Sequence, residues 1–232
     1  EQLKVLRKQR LKYEQGDSEL KSAVANISHD LRTPLTAISG YLELLDKEQK
    51  SQDAERYIGI IKNRTDTLKQ LAEDLFRYSV ITSPDYDSPK ERLSVNSVLE
   101  ECIAYHYNAF RQAKIIPEIH LPEITVYCNM NRVALNRIFS NLIENAIKYS
   151  NGDFCVELND KGEITMSNMA PELSTVEVSM LFDRFYTVEN AKKSTGLGLS
   201  IVKILVEQVG GTIYAKYAAG KLITCICLPL AI

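Results

Sequence analysis

The sequence lacks the features that mark several large classes of protein. It has no run of the roughly 18 apolar residues that a membrane-spanning helix needs. Its 28 lysine and arginine residues are balanced by 30 aspartate and glutamate residues, so there is no positive field for nucleic acid. We therefore expect globular domains that bind no nucleic acid, and 232 residues are enough for one large domain or two small ones.

Cysteine is present without the spacing of a disulfide framework or of a metal knuckle. The count is odd, and the residues are scattered at Cys102, Cys128, Cys155, Cys225 and Cys227. The last two lie in an alternating run that is typical of a strand. We therefore expect a reducing compartment and buried thiols that pack as small apolar groups.

The first part of the chain carries helical periodicity. A series at steps of three and four runs through residues 3–31, mostly apolar but weakened at Arg10 and Asp17, and it predicts the heptad seam of a parallel, two-stranded input helix. The alternative is a solvated amphipathic helix, but the unbroken phase into the next segment favours the input helix. Because the sequence starts in the middle of this pattern, we expect it to be part of a longer protein.

Two long amphipathic helices follow from the same periodicity. The first should end in the polar run 46–50, and Ser51 and Asp53 are good starting residues for the second. Such a hairpin buries its apolar stripe poorly by itself, so we predict a homodimeric four-helix bundle. Residues 81–90, with two prolines, two serines and two aspartates, form the clearest linker.

The pattern becomes mixed beyond residue 91. Helices are predicted over 96–114 (with Asn96 as the cap), 129–149, 176–186 and 198–209. Strands are predicted over 92–95, 154–158, 163–167, 212–217 and 222–228. Helices in one layer over a mixed sheet predict a two-layer α/β sandwich.

Residues 25–45 combine an exposed histidine with a proline inside a helix. At about 100° per residue, His29 lies opposite the apolar stripe. Pro34 cannot donate to the carbonyl of Asp30, so the helix should bend or loosen within a turn of the imidazole. Most exposed histidines have no function, but this arrangement costs stability unless it serves one.

A polar helix face in the second half carries groups that suit a nucleotide. Asn141, Asn145 and Lys148 share one side of their helix, and their amides and ammonium group suit magnesium or phosphate. Tyr149 supplies a flat face for a base. Polar faces are common on surface helices, so this pattern is weak by itself.

A short glycine-containing run lies directly before the helix predicted over 198–209. Gly196 and Gly198 let the backbone approach phosphate, and the helix N-terminus offers free amides. The alternative reading is a flexible turn.

The string SHDLRTPLTAI, residues 28–38, closely resembles the phosphoacceptor box of the sensor histidine kinases of two-component systems. The resemblance implies that His29 accepts a phosphoryl group from ATP and passes it to an aspartate of a response regulator. It gives Asp30 the role of bonding the second imidazole nitrogen. It gives Thr33 the role of positioning the water that dephosphorylates the regulator.

The resemblance extends to the second half of the chain. NLIENAIKYS, residues 141–150, resembles the N box of Bergerat-type ATPases, and STGLGLSI, residues 194–201, resembles the kinases' second glycine box. The resemblance implies ATP and Mg²⁺ as cofactors, with Asn145 as the Mg²⁺ ligand. The implied cofactor-binding residues are Asn141, Asn145, Lys148, Tyr149, Asn168, Thr195, Gly196, Leu197 and Gly198.

The first glycine box departs from the family's pattern. The kinases normally show Asp-x-Gly-x-Gly, in which the Asp bonds the adenine amino group, whereas this chain reads Asn168-Met-Ala170-Pro-Glu172. An amide oxygen still accepts a hydrogen bond, but without charge assistance. Pro171 also stiffens the loop. We therefore expect weaker ATP binding than with the full box, on an unchanged fold.

The resemblance completes the predicted architecture. An all-α helical hairpin that forms a dimeric four-helix bundle precedes a two-layer α/β sandwich of the Bergerat ATPase fold. The predicted segments are the end of an input coiled-coil helix at 1–20, a dimerisation and histidine phosphotransfer domain at 21–82, a linker at 83–91 and a catalytic ATP-binding domain at 92–232.

The resemblance also implies a cellular setting. We expect the cytoplasmic core of a bacterial membrane sensor, attached to the membrane only through a region N-terminal to this sequence. Its partners would be a second copy of the chain and a cognate response regulator, and it would also act as a phosphatase of that regulator. The altered glycine box leaves two rivals, a core that mainly dephosphorylates its regulator and a non-catalytic dimer scaffold.

Overall fold

The computed structural model describes residues 31, 34–47, 51–81, 89–183, 186–187 and 195–231. The chain divides into two compact units. The described residues up to 81, together with Thr195, belong to the helical unit, and the other described residues belong to the α/β unit. A helical region followed by an α/β domain is the predicted order, while the bounds of the four predicted segments stay predictions.

The described part of the helical unit contains two helices. Residues 34–45 are helical (α1) and lead into a turn at 46–47, and α2 spans Gln52–Ile81. Ser51 begins α2 as predicted, because its Oγ accepts a hydrogen bond from the N–H of Ala54 at 3.3 Å. Lys62 Nζ lies 3.4 Å from Asp46 Oδ2, which connects the second helix to the end of the first.

The apolar stripe of α1 is divided between buried and exposed positions. Leu35 and Leu42 are 6% and 5% exposed, whereas Leu31, Ile38 and Leu45 are 44%, 42% and 46% exposed in the single chain. Seven residues return a helix to nearly the same direction, so Ile38 and Leu45 form one row along α1, and Leu31 lies seven positions before Ile38. We refer to these three residues as the exposed row.

The α/β unit contains the remaining described helices and strands. Its helices are α3 (Val95–Tyr105), α4 (Tyr107–Gln112), α5 (Arg132–Tyr149), α6 (Thr175–Met180) and α7 (Gly198–Gln208). Its strands are β1 (Glu91–Ser94), β2 (Ile116–His120), β3 (Tyr127–Met130), β4 (Asp153–Leu158), β5 (Glu163–Met169), β6 (Thr212–Ala218) and β7 (Lys221–Cys227).

The described strands form two sheets. β1 pairs with β3, and the other five strands are arranged in the order β2-β4-β5-β7-β6. The β2–β4 pair is parallel, and the remaining pairs are antiparallel. Gly162 (φ 78°) turns β4 into β5, and Gly220 (φ 78°) turns β6 into β7. Both hairpins are predicted by the sequence.

One face of the five-stranded sheet is buried beneath helices. Along β5, Ile164, Met166 and Asn168 are buried, while the residues between them are half exposed. Helix α5 contacts β5, and α7 contacts both α5 and β6. The core therefore lies between the helices and this face, and it includes Leu99, Leu135, Ile138, Phe139, Ile143, Ile164, Ile201 and Val206. The two-layer sandwich is as predicted.

The prediction of a single helix over residues 96–114 is wrong in two respects. It is interrupted at His106, which separates α3 from α4. Its cap is Ser94, whose Oγ accepts from the N–H of Ser97 at 3.2 Å. Asn96 instead accepts from the N–H of Val126 at 2.8 Å. A partner 30 residues away decides the role of Asn96, so a local pattern could not reveal it.

Two other helices are shorter than predicted. α5 begins at Arg132, because residues 129 and 130 pair with β1 and Asn131 caps the helix by accepting from the N–H of Ala134 at 3.1 Å. α6 ends at Met180 instead of reaching residue 186.

Candidate nucleotide-binding site

The polar residues of the N box lie along helix α5 beside its buried face. Leu135, Phe139, Leu142 and Ala146 are among its buried residues. Asn141 and Asn145 are half-buried, and Lys148 and Tyr149 are exposed at its C-terminal end. This arrangement agrees with the shared helix face that the spacing of three and four residues predicts.

The side chain of Asn141 lies against the start of α7. A Cβ placed on Gly198 would lie 3.6 Å from Asn141 Oδ1, so the two boxes meet at this point. Asn141 Nδ2 is buried, and no acceptor among the described residues bonds it. A buried donor without a partner is costly, because its desolvation is not offset. The amide N–H can therefore donate a hydrogen bond to a ligand at the place where the N box and the second glycine box meet.

The loop before α7 exposes helix amides. Gly196 has φ 68°, a left-handed conformation that favours glycine. Leu197 is fully buried, and as the N-cap it makes no side-chain cap hydrogen bond. The first amides of α7 therefore lack the usual capping acceptor and can bind an anion. Thr195 comes directly before this loop, and the division between the two units falls between Thr195 and Gly196.

Asn145, Lys148 and Tyr149 complete the polar side of α5. The Asn145 side chain makes no hydrogen bond to any described residue, so its amide oxygen is available as a ligand. Lys148 Nζ lies 5.1 Å from the centre of the Tyr149 ring. A cation at that distance is attracted to the face of the ring. The contact holds the ammonium group near the C-terminal end of the box.

Asn168 lies at the end of β5, on the face that the helices cover. Its side chain is 6% exposed, and Nδ2 donates to the carbonyl of Met169 at 3.2 Å. No described residue donates to its Oδ1, which leaves this atom as an acceptor. The N–H of Asn151, two residues after α5, donates to the carbonyl of Met169 at 3.1 Å. The structure thus brings the end of the N box beside the altered glycine box.

The altered box is held firmly at Ala170. The N–H of Ala170 donates to the carbonyl of Gly220 at 2.9 Å, and its carbonyl accepts from Tyr217 Oη at 3.1 Å. The same carbonyl accepts from the N–H of Leu173 at 3.0 Å. These bonds fix the segment after Asn168 to the β6–β7 hairpin, which agrees with the stiff loop that the sequence predicts.

A polar cluster around the buried His106 is not predicted by the sequence. His106 Nδ1 lies 2.8 Å from the carbonyl oxygen of Cys102, and Nε2 lies 3.6 Å from Glu144 Oε1. Cys102 Sγ also lies 3.4 Å from Ser140 Oγ. Glu144 is the neighbour of Asn145, so this cluster supports the N box from the α3–α4 junction. The one local signal is a histidine at a helix break, which does not reveal its partner.

The surroundings of His106 favour its charged form. The Cys102 side chain, followed by the Glu144 carboxylate, raises the pKa of His106 to about 10, against the opposing effect of burial. The geometry agrees, because the carbonyl facing Nδ1 only accepts and the carboxylate lies nearest to Nε2. The charged form of His106 is therefore favoured at the junction between α3 and the N box.

The other predicted site residues lie outside the part of the chain described. His29, Asp30 and Thr33 fall there, so their roles stay predictions. The buried-thiol prediction holds for Cys102 and Cys128, but the other three cysteines are only partly buried. No helix within the described residues is long and apolar enough to cross a membrane.

Two family models match the two halves of the chain. The His Kinase A (phospho-acceptor) domain matches residues 19–84, and the histidine kinase-, DNA gyrase B- and HSP90-like ATPase matches residues 130–232. The chain therefore belongs to the class of proteins in which a phosphoacceptor helical region precedes an ATP-binding α/β domain, as the fold indicates.

Curated relatives identify the family. The sensor histidine kinase YcbM of Bacillus subtilis is 31% identical over 208 residues, which cover 85% of this chain and 67% of YcbM. The sensor protein kinase WalK of Staphylococcus epidermidis is 30% identical over 221 residues, 90% of this chain and 36% of WalK. The chain belongs to the sensor histidine kinases of two-component systems and is a protein-histidine kinase, although it spans only part of each relative.

Solved structures share the fold. Full-length ShkA in complex with AMPPNP matches with a TM-score of 0.72 and 19% identity, over 90% of this chain and 46% of that one. The Acinetobacter baumannii histidine kinase AdeS matches with a TM-score of 0.62 and 26% identity, over 88% of this chain and 98% of that one. The predicted fold class is confirmed.

Proposed function

We propose that this chain transfers the γ-phosphoryl group of ATP to His29 and then to an aspartate of a response regulator. Its membership of the kinase family supports the phosphorylation of a histidine. The observation that carries the nucleotide site is the buried, unpartnered Asn141 amide beside Gly198 and the uncapped amides of α7. An anionic ligand at this point would satisfy both kinds of donor.

Each of the remaining residues would bind a different part of the nucleotide or its Mg²⁺ ion. The amide oxygen of Asn145 would bind Mg²⁺, which usually takes only one or two protein ligands besides water and phosphate oxygens. The ammonium of Lys148 would contact a phosphate group, and Tyr149 would line the adenine side. Oδ1 of Asn168 would accept from the adenine amino group. The half-buried, unbonded state of Asn145 fits this assignment.

The chemistry at His29 is a phosphoryl transfer. An imidazole nitrogen attacks the γ-phosphorus in line, the bond to the β,γ-bridging oxygen breaks, and ADP leaves. Asp30 would accept a hydrogen bond from the other nitrogen and hold the ring in the reactive tautomer. The phosphoryl group then passes to a carboxylate oxygen of the regulator. Catalysis rests mainly on positioning and on neutralising charge.

The helical unit supports a homodimer. Ile38 and Leu45 leave an apolar row of α1 exposed, Leu31 is exposed seven positions before Ile38, and Ile61 and Leu68, also seven apart, are 47% and 51% exposed on α2. Two helices with exposed rows are what a four-helix bundle of two chains would bury. A second copy is therefore the partner that we propose for this surface.

The altered glycine box favours the alternative function, a core that mainly dephosphorylates its regulator. Ala170 is fixed by three hydrogen bonds, and Asn168 replaces the carboxylate that other kinases use for adenine. Weak nucleotide binding would shift the balance from kinase towards dephosphorylation of the regulator. Thr33 is the residue that we propose positions water in that reaction.

Labelling with γ-labelled ATP and Mg²⁺ tests the proposal. The wild-type chain should take up an acid-labile, base-stable label, and His29→Gln should take up none. Thr33→Ala should keep the label while it dephosphorylates a phosphorylated regulator more slowly. An undiminished label in His29→Gln overturns the assignment. A wild type that takes up no label but still dephosphorylates the regulator supports the rival.

A further inference from the structure

The exposed face of the five-stranded sheet carries a cluster of metal-ligating side chains at its β2 edge. Glu118 and His120 are two residues apart on β2, and Cys155 and Glu157 are two residues apart on β4. Side chains two residues apart on a strand point to the same face. This face is opposite the one that carries Asn168, because Ser167 and Thr165 are on it. The cluster is therefore separate from the nucleotide-binding site.

The parallel register sets the four side chains in a block. Glu118 pairs with Cys155, and His120 pairs with Glu157. His120 Nε2 lies 3.1 Å from Glu118 Oε1, and Cys155 Sγ lies 3.9 Å from Glu157 Oε1. One ligand atom each from Glu118, His120 and Cys155 lies within 4.8 Å of the others. Three ligand types from two strands thus lie close together.

These separations suit a tetrahedral metal ion. With zinc bonds of about 2.0–2.3 Å, the ligand atoms of a tetrahedral site lie roughly 3.3–3.7 Å apart. The ligand atoms lie within 4.8 Å of one another, so side-chain rotations would have to bring them to that range on a backbone that the paired strands already set. A nitrogen, a sulfur and carboxylate oxygens form a donor set that zinc accepts, whereas Mg²⁺ and Ca²⁺ prefer oxygen alone.

The cluster is also rich in negative charge. Among the described residues, its one ion pair joins Glu118 to His120. A divalent cation would neutralise the two carboxylates and would favour the thiolate. Without a cation, the exposed pair of Glu118 and His120 contributes little.

We propose that Glu118, His120 and Cys155 bind one Zn²⁺ ion, with water as the fourth ligand. β2 is an edge strand of the five-stranded sheet and is bonded there only to β4 within the described residues. The ion would therefore tie this edge strand to the sheet through side chains. His120 and Glu157 also line a groove of about 250 Å³, which leaves room for water at the metal.

Metal titration of the whole chain tests the proposal. The protein is freed of metal with a chelator and titrated with Zn²⁺ in competition with a chromophoric chelator, and separately with Co²⁺ as a spectroscopic probe. We expect one equivalent of each ion and a thiolate-to-cobalt charge-transfer band. Cys155→Ser should abolish the band, and both Cys155→Ser and His120→Ala should weaken Zn²⁺ binding by at least about tenfold.

Matched controls separate this site from other thiols and from the nucleotide site. Cys225→Ser changes a cysteine on the same sheet face that pairs with Thr165 and lies outside the block. Asn145→Ala changes the proposed Mg²⁺ ligand. Both variants should keep the cobalt band and the zinc affinity of the wild type. Failure of the proposed kinase function leaves these results unaffected, because they do not depend on ATP.

A second readout covers the case in which a variant folds poorly. Zn²⁺ should raise the thermal midpoint of the wild type and of Cys225→Ser, but not that of His120→Gln, whose fold is checked by circular dichroism. Three results would overturn the proposal. These are the absence of a cobalt band in the wild type, wild-type zinc affinity in Cys155→Ser, and equal loss of zinc affinity in Cys225→Ser.

Discussion

The helical unit and the α/β unit satisfy their apolar residues in different ways. In the α/β unit, Phe139, Ile143 and Ile164 are fully buried within a single chain. In the helical unit, Ile38 and Leu68 remain 42% and 51% exposed. The α/β unit therefore has the core of an independent domain, whereas the helices leave part of their apolar stripe exposed, which the proposed second copy would bury.

The largest effect should come from breaking the core of the α/β unit. Phe139→Ala removes a fully buried ring from α5 and should cost about 3–5 kcal/mol of the free energy of unfolding. Val133→Ala, on the same helix at a residue that is 74% exposed, should stay within about 0.5 kcal/mol of the wild type. Calorimetry measures both. A similar loss in the two variants would contradict a core centred on α5.

The next effect concerns the charge of His106. Because its folded pKa of about 10 lies above the ordinary 6.5, its contribution to stability is complete below pH 6.5 and is lost as the pH rises through about 10. We expect a loss of about 1.5–3 kcal/mol, the usual contribution of a hydrogen bond to a charged group. Urea unfolding of the α/β unit between pH 6 and 10 measures it.

His106→Asn keeps a donor at the position of Nδ1 but cannot carry the charge. Its stability should therefore fall less steeply over this pH window than that of the wild type. Glu144→Gln should show an intermediate slope, because it removes only one of the groups that raise the pKa of His106. Equal slopes in all three proteins would mean that His106 is neutral in the fold.

A smaller effect is expected on the association of two chains, which should depend on the helical unit and not on the α/β unit. Ile38→Lys places a charge in the exposed row and should weaken the dimer by about tenfold or more, which corresponds to about 1.4 kcal/mol. The thermal midpoint of the α/β unit should be the same in Ile38→Lys as in the wild type. Sedimentation equilibrium measures the dimer constant.

Leu44→Lys is the matched control for this variant. Leu44 is 58% exposed and lies about 120° around the helix from Ile38, so it is outside the exposed row. It should leave the dimer intact. If Leu44→Lys weakens the dimer as much as Ile38→Lys does, the chains associate through another face.

The smallest expected effect lies within the nucleotide site. Asn168→Asp would restore a charged acceptor and should tighten the binding of a non-hydrolysable ATP analogue by up to about tenfold. The gain is limited, because Asn168 Nδ2 now donates to the carbonyl of Met169 and a carboxylate would face that oxygen instead. Calorimetry with Mg²⁺ measures the affinity.

Two variants check this assignment. Ser167→Ala changes the neighbouring residue on the opposite face of β5 and should bind the analogue as the wild type does. Asn168→Leu keeps the size of the side chain but cannot accept a hydrogen bond. Wild-type affinity in Asn168→Leu would show that Asn168 does not contact the base.

The sequence by itself determined the local elements of this protein. The periodicity of α5, the turn residues of both hairpins and the box strings are local patterns, and they gave the fold class and the family. The start of α5 could not be obtained in the same way, because residues 129 and 130, which a local pattern assigns to helix, pair with β1. The cap of α3 is Ser94, because the side chain of Asn96 binds Val126 instead.

Only the tertiary structure decided which side chains meet. Asn141 contacts Gly198 across 57 positions, and the parallel register of β2 and β4 places Glu118 beside Cys155. The contact between His106 and Glu144 likewise joins two helices. Periodicity gives the face on which a residue lies, but the packing of distant elements gives its neighbours, and the chemistry of a site depends on those neighbours.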